Sequence, residues 1–437
     1  MSSTSTAGNP AQYRSSIAII GTLFFIFGFV TWINGPLIGF VKLAFDLDTD
    51  AKAFLVTYVF YMAYFFLALP SSLILERTGM KKGMALGLGV MAVGAVIFGT
   101  FVTVRNYPAC LTGLFVIGSG LSLLQTASNP YVSNLGPIES AAVRISIMGI
   151  CNKLAGILSP IVMGVLVMKD VGHFEARVAA AATPEIRQAL LAEFAAKIYW
   201  PYMVMAGVLA LLAVWVLRSS LPEIKSSEAN AADAGSSGSR RSVLQFPHLL
   251  LGVLCIFVYV GVEVLAADAI GTYGKGFGIP SEQATYFTAF TLAGMLVGYL
   301  IGLATIPTWL SQQRGLAISA VLGIVFSLAA YFTKGYVSVG FVAALGLANA
   351  LMWPAIFPLA IAGLGRFTEK GSALLIMGIA GGALIPRLFA TYKDVYDFQL
   401  VFLALAAPCY LYILFYSLKG YAVGRNAAAA PVAAAGG

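Results

Sequence analysis

Twelve apolar runs, nearly free of charge, set the terms for what this chain can fold into. A hydrocarbon core about 30 Å thick is crossed by roughly 20 residues of helix. The runs fall at 16–40, 51–75, 83–104, 108–134, 144–168 and 200–220, and again at 248–272, 283–306, 315–333, 337–363, 371–392 and 397–418. Backbone polar groups in lipid must be satisfied internally, so each run is predicted to be a helix. Composition agrees with that reading. Only 10% of the 437 residues are charged, against about 25% in a soluble domain. So few charges cannot coat a water-facing surface. The expected fold class is an all-α membrane protein with 12 transmembrane helices, whose first partner is the lipid bilayer.

The net charge of +8 resides in short clusters between the runs, as at Arg77, Lys81 and Lys82. That pattern holds loops on the cytoplasmic side and does not point to nucleic acid. A polar tail, 1–14, precedes the first run, which is too long for the apolar core of a cleavable signal peptide. The first bundle is expected at 15–220 and the second at 248–420. The stretch 221–247 is small, polar and without periodicity, so it reads as a flexible cytoplasmic linker. The Ala/Gly/Pro tail, 421–437, reads as disordered. A small excess of Lys and Arg on the side of the termini places both of them in the cytoplasm. Before the sixth run, Thr183-Pro184-Glu185 reads as a helix start. Ile186, Leu190, Phe194 and Ile198 then predict a short amphipathic helix resting on the membrane face or on the sixth span. Cys110, Cys151, Cys255 and Cys409 each lie in an apolar run, with no spacing for a metal or a disulfide framework.

The two sets of runs echo each other. Leu135-Gly136 and Leu364-Gly365 match at an offset of 229, and Ile147-Met148-Gly149-Ile150 matches Ile376-Met377-Gly378-Ile379 at the same offset. Lys82-Gly83-Met84-Ala85 and Arg314-Gly315-Leu316-Ala317 correspond at nearly that spacing. Two parallel six-helix halves related by an axis along the membrane normal are the arrangement of the major facilitator fold. Such halves can rock about a midplane site. Gly294, Gly298 and Gly302 form a GxxxGxxxG face on the eighth span, expected to pack against the other half.

Polar groups inside hydrocarbon are costly and usually face the bundle interior. Asn34 lies in TWINGPL, where Gly35-Pro36 weakens the first helix. Gln125 and Asn129 share a face of the fourth span, Asn152 and Lys153 lie on the fifth, and Asn349 precedes Trp353-Pro354 on the tenth. Each amide reads either as a sugar ligand, since it offers donors and acceptors to vicinal hydroxyls, or as a helix–helix hydrogen bond of about 0.6 kcal/mol. Trp32, Tyr131 and Trp353 are aromatic faces for a sugar ring, or packing anchors. Glu263 and Asp268 on the seventh span, with Lys153, are the charges placed well inside spans. They read as an ion-coupling group, with sodium or a proton at Glu263, or as a permanent structural pair. No resident cofactor is implied.

Whole-length features then become familiar. FFIFGFVTWINGPLI, LQTASNPYVSNLGPIES, ISIMGICNKLAGILSP and YVGVEV resemble the fucose–galactose–glucose symporter family of the major facilitator superfamily. LERTGMKKG resembles that superfamily's loop signature after the second span, with Glu76 in place of the usual aspartate. The resemblance implies a cytoplasmic gate there, with Glu76, Arg77 and Lys81 pairing across the halves. It also implies ion-driven import of a monosaccharide across a bacterial inner membrane by a functional monomer. The fucose branch carries acidic residues where this chain has Gly35 and Gln125; Asn152 matches a fifth-span asparagine, whose glutamine partner is Gly149 here. The glucose/galactose branch is the nearer match. N-acetylglucosamine transport and uncoupled uniport stay open as alternatives, and a drug or lipid exporter is the rival of the same fold. An enzyme is not expected: His173 and His248 lie in a loop and at a span edge, and neither HExxH, GxSxG nor GxxxxGK[ST] occurs.

Overall fold

In the computed structural model, residues 10–135, 141–222, 242–306 and 309–425 are described. The expected linker and C-terminal tail fall largely outside them. The described residues form helices and turns, with no strand. Twelve helices are long and apolar enough to cross a membrane. In order, the spans are Tyr13–Ala44, Asp50–Thr78, Met80–Thr103, Tyr107–Val132, Val143–Leu166 and Pro184–Arg218. The second six are Pro247–Ala267, Ser281–Thr305, Gln312–Phe332, Gly335–Ile361, Thr368–Tyr392 and Phe398–Leu418.

Span ends follow local chemistry. Asn106 accepts a hydrogen bond from the Ala109 N–H at 3.1 Å, and Asp397 accepts one from Leu400 N–H at 2.8 Å. Both are N-caps that satisfy otherwise orphaned donors. Between the second and third spans the chain turns at Gly79 with φ +80°, a conformation that a Cβ resists.

The first span is broken. Helix Pro10–Trp32 ends, Ile33 turns, and helix Asn34–Ala44 resumes. Pro36 has no N–H for the Trp32 carbonyl, which weakens the helix at this point. Asn34 Nδ2 donates to the Thr31 carbonyl at 3.0 Å, covering one acceptor the break exposes. The tenth span breaks in the same way between Asn349 and Met352, just before Pro354. The seventh span stops at Ala267 and restarts as Ile270–Lys275. There the Thr288 and Thr291 hydroxyls of the eighth span donate to the Ala267 and Ala266 carbonyls, at 2.7 and 2.9 Å.

The repeat read from the sequence reappears as packing. Within the first half, span 1 packs on 5, 3 on 4, 3 on 6 and 2 on 4. Within the second half the equivalent pairs are 7 on 11, 9 on 10, 9 on 12 and 8 on 10. The halves meet along two corresponding seams, span 5 against span 8 and span 11 against span 2.

Two expectations about packing are corrected. The Gly294, Gly298 and Gly302 face does not touch the other half. A Cβ at these positions would meet Ala343, Leu347, Ala350 and Leu351 of span 10, so the glycines let two helices of the same half approach. The small residues that serve the seam lie on span 5, where Gly149 and Gly164 sit under the Tyr299 and Tyr286 rings of span 8. The amphipathic helix exists as Pro184–Ala196, capped by the Thr183 hydroxyl. Its buried side is Leu191, Phe194 and Ala195, whereas Ile186 is exposed. Phe194 packs on Phe40 of span 1 and on Phe174, at ring distances of 5.2 and 4.8 Å. A second short helix, Val171–Ala179, supplies Phe174 and draws the inward face round from the period-four stripe.

Candidate functional site

A cavity opens between the halves, enclosing about 740 Å³ with part of that space open to solvent. Spans 1, 2, 4 and 5 line it from one half, and spans 7, 8, 10 and 11 from the other. Trp32, Gln125, Asn129, Asn152, Lys153, Glu263 and Trp353 all face it. The sequence reading thus converges on one space from five spans.

The charged pair is at its centre. Lys153 Nζ lies 2.9 Å from Glu263 Oε1, and their side chains are only 6% and 9% exposed. The bridge joins span 5 of one half to span 7 of the other. The same ammonium sits 4.1 Å above the Trp32 ring, a cation–π contact strengthened by desolvation. Trp32 Nε1 in turn donates to Asn152 Oδ1 at 3.1 Å, which fixes the indole. On the fourth span, Gln125 Nε2 donates to the Tyr64 hydroxyl at 2.9 Å, and Asn129 Nδ2 donates to the Gln125 carbonyl at 3.0 Å. Trp353 stacks on Phe357 at 5.6 Å and leans on Tyr259 at 6.5 Å.

Other predicted residues lie elsewhere. Asn349 is fully buried inside the second half, where its Oδ1 accepts from the Tyr410 hydroxyl at 3.0 Å. Its packing role ties span 10 to span 12. Tyr131 is buried as well and donates to the Pro222 carbonyl at 3.0 Å, so it anchors the first half. Asn34 and Asp268 flank the cavity without lining it. Each sits at a helix break, and the two breaks meet. A Cβ on Gly35 would lie 3.3 Å from Asp268 Oδ1.

The loop expected to form a gate follows span 2, and one of its contacts lies within its own half. Lys81 Nζ donates to the Ser219 carbonyl at 2.8 Å, within its own half, at the carbonyl-rich end of span 6. Glu76 and Arg77 are exposed to solvent. Cross-half ion pairs and polar contacts are found on the face opposite these loops, while on the loop side the start of span 11, Thr368–Met377, packs on spans 2 and 4 of the other half. Asp50 takes Lys393 of the other half at 2.6 Å and Lys42 of its own. Arg387 sits 4.7 Å over the Tyr58 ring, and the Ser281 hydroxyl donates to Glu175 at 3.0 Å.

Four lining tyrosines, Tyr61, Tyr64, Tyr259 and Tyr299, escape the sequence reading. They carried a signal. Tyrosines of membrane proteins favour the lipid–water interface, and these stand in span interiors. Tyr61 rests on Gly382 of span 11 and Tyr299 on Gly149 of span 5, so each seam contributes one phenol to the cavity.

Comparison with known proteins agrees with this architecture. A family model described as Major Facilitator Superfamily matches residues 20–386. The glucose/galactose transporter of Brucella abortus is 32% identical over 416 residues, covering 94% of this chain and 95% of that one. The L-fucose-proton symporter of Escherichia coli is 30% identical and covers 89% of each chain. Among solved structures, a Major Facilitator Superfamily transporter, FucP, in the outward conformation aligns with a TM-score of 0.75 at 26% identity. That alignment covers 93% of this chain and 98% of the other. With twelve spans in two repeated halves around one cavity, and with relatives matched over nearly their whole length, this multi-pass membrane protein belongs to the Major Facilitator Superfamily and to its family of glucose/galactose and fucose transporters.

Proposed function

We propose that the chain imports a monosaccharide of the glucose/galactose type by alternating access, driven by a sodium or proton gradient. It works as a monomer in a bacterial inner membrane, with both termini in the cytoplasm. The observation that carries this reading is the cavity wall. Neutral amides, phenols and indoles surround a single ion pair that bridges the halves. Amides and phenols match the donors and acceptors of sugar hydroxyls, and indole faces suit the apolar face of a pyranose. A drug or lipid exporter would want a more apolar wall. The names of the relatives point the same way.

The mechanism follows from the seams. The two halves share no covalent link at the site and meet through small residues under aromatic rings, so they can rock. Sugar held by Gln125, Asn129 and the indoles bridges both halves. The Lys153–Glu263 pair responds to the coupling ion, because a cation or proton near the trio of Glu263, Lys153 and Asp268 redistributes their mutual attraction. On the face opposite the termini, the Asp50–Lys393 bridge must open for the cavity to face that side.

The test is uptake of labelled glucose into proteoliposomes under an inward sodium or proton gradient, with unlabelled N-acetylglucosamine as competitor. Concentrative uptake resisted by the competitor supports the proposal. Uptake erased by the competitor reassigns the substrate to an amino sugar, and equilibration without accumulation makes the protein a uniporter.

A further inference from the structure

Asp268 is the one buried carboxylate whose two oxygens both lack a hydrogen-bond partner among the described residues. It is 2% exposed, at the point where helix Pro247–Ala267 stops. Leaving a bare charge there costs several kcal/mol. Glu263, five residues earlier, is already compensated by Lys153 and has no charge to spare. Buried oxygens at the break of span 1 also have no partner among the described residues. Asn34 is 1% exposed, with Nδ2 fixed on the Thr31 carbonyl, which holds its unpartnered Oδ1 in place. The Thr31 hydroxyl oxygen is likewise buried without a partner. Thr288 donates its proton to the Ala267 carbonyl, leaving oxygen lone pairs free. Thr288 Oγ1 and Asp268 Oδ1 lie 2.6 and 3.3 Å from one point, the position a Cβ would take on Gly35.

We propose that Asp268, Asn34 and Thr288 form a binding site for a sodium ion in the seam between the breaks of spans 1 and 7, beside the sugar cavity. A proton on Asp268 would let the carboxyl donate to a single neighbouring oxygen. A small cation satisfies several at once. Oxygen-only donors select a hard metal ion, and a single carboxylate balances a single charge rather than a divalent one. Gly35 keeps the space clear, since a methyl there would press on the Thr288 oxygen. Thr31 lines the cavity and its carbonyl holds Asn34, which links the sugar cavity to the ion site. The charged groups acting on Asp268 are Glu263 and Lys153, and the Tyr61 phenol is within electrostatic reach. This deepens the coupling part of the function proposed above and rests on it only for what the ion does.

The experiment is thermal unfolding of the purified protein in sodium chloride against choline chloride, at matched ionic strength and at several pH values. Sodium should raise the midpoint saturably. Asp268→Asn should abolish the rise. Thr288→Val should weaken sodium by about tenfold or more, as loss of a supporting ligand does. Gly35→Ala should also weaken it, and it decides the matter together with Thr288→Val if Asp268→Asn fails to fold. The double variant Lys153→Met/Glu263→Gln removes a neutral pair and should keep the rise. No rise in the wild type, a rise that follows pH alone, or a rise kept by Asp268→Asn and lost in the double variant would overturn the site. Absent sugar counterflow with the sodium rise intact would refute the sugar reading and leave the cation site standing.

Discussion

Among the described residues two ion bridges join the halves, and they sit in different surroundings. Lys153–Glu263 lies in the cavity, nearly dry, with one partner for each charge and an indole beneath the ammonium. Asp50–Lys393 lies at the face opposite the termini, inside a chain of charges that includes Lys42 and Asp394. Asp50 and Lys393 are 11% and 12% exposed, but Lys42 and Asp394 are 39% and 66% exposed, so this network reaches water at its ends. A dry isolated pair is costly to break from one side, because the survivor stays buried. A wet network loses little when one link goes, since neighbours and water take over. The first arrangement suits an element that reads ligand occupancy, and the second suits a latch that opens every cycle.

Breaking the inner bridge should give the largest effect. Glu263→Gln is expected to abolish gradient-driven accumulation while some sugar exchange survives. Lys153 is left as a buried cation whose nearest remaining carboxylate is Asp268, and stability should fall by about 3 kcal/mol. Uptake and thermal unfolding read the two effects, and full accumulation in the variant would remove Glu263 from coupling. Adding Lys153→Met should recover stability without recovering accumulation.

The outer latch comes next. Asp50→Asn should move the equilibrium toward opening on that face by about 1–2 kcal/mol, a factor of roughly 5–30. Spin labels at the ends of spans 2 and 11 would report it as a growing long-distance population. An unchanged distribution would return Asp50 to ordinary surface pairing.

A pair of amides sharpens the contrast between cavity and packing. Asn129→Ala should weaken sugar binding by about 1 kcal/mol, or some fivefold, with little change in stability. Asn349→Ala should do the reverse, removing the hydrogen bond from Tyr410 while sugar affinity holds. Equal effects on affinity would dissolve the distinction.

Smallest is the pH response of the latch. Burial disfavours the Lys393 charge, but the hydrogen bonds from its ammonium to Asp394 and Asp50 outweigh this and hold its pKa above the ordinary 10.5. A raised lysine pKa contributes stability that is complete below the unfolded value and is lost as pH climbs through the folded one. The spin-label distances should therefore be flat from pH 6 to about 9 and widen only above the ordinary lysine range. Widening near neutrality would point to a different group.

Much of the site was legible because intramembrane polarity is expensive. Gln125, Asn129, Asn152, Lys153 and Glu263 announce themselves as polar residues in apolar runs, and all five face the cavity. Asn349 carries the same signal and faces the other way, because a helix–helix hydrogen bond satisfies an amide as well as a sugar does. The tyrosines were hidden by their apolar bodies, which blend with the surrounding phenylalanines. The glycine face of span 8 shows the same ambiguity, since spacing declares close approach without naming the neighbour.

Hydrophobic length and repetition determined the fold on their own. Lipid admits long helices and little else, and a matching offset between two sets of runs specifies two halves. Proline marked weak points at the breaks in spans 1 and 10, because a missing N–H acts within one turn of its own chain, although Pro70, Pro130 and Pro160 sit in unbroken helices. Which face of each helix meets which neighbour was settled only in three dimensions. Glu263 finds Lys153 across 110 residues, and the break at Gly35 comes to rest against Asp268. These meetings depend on how whole helices tilt and pack, a sum over many weak contacts that no short segment contains.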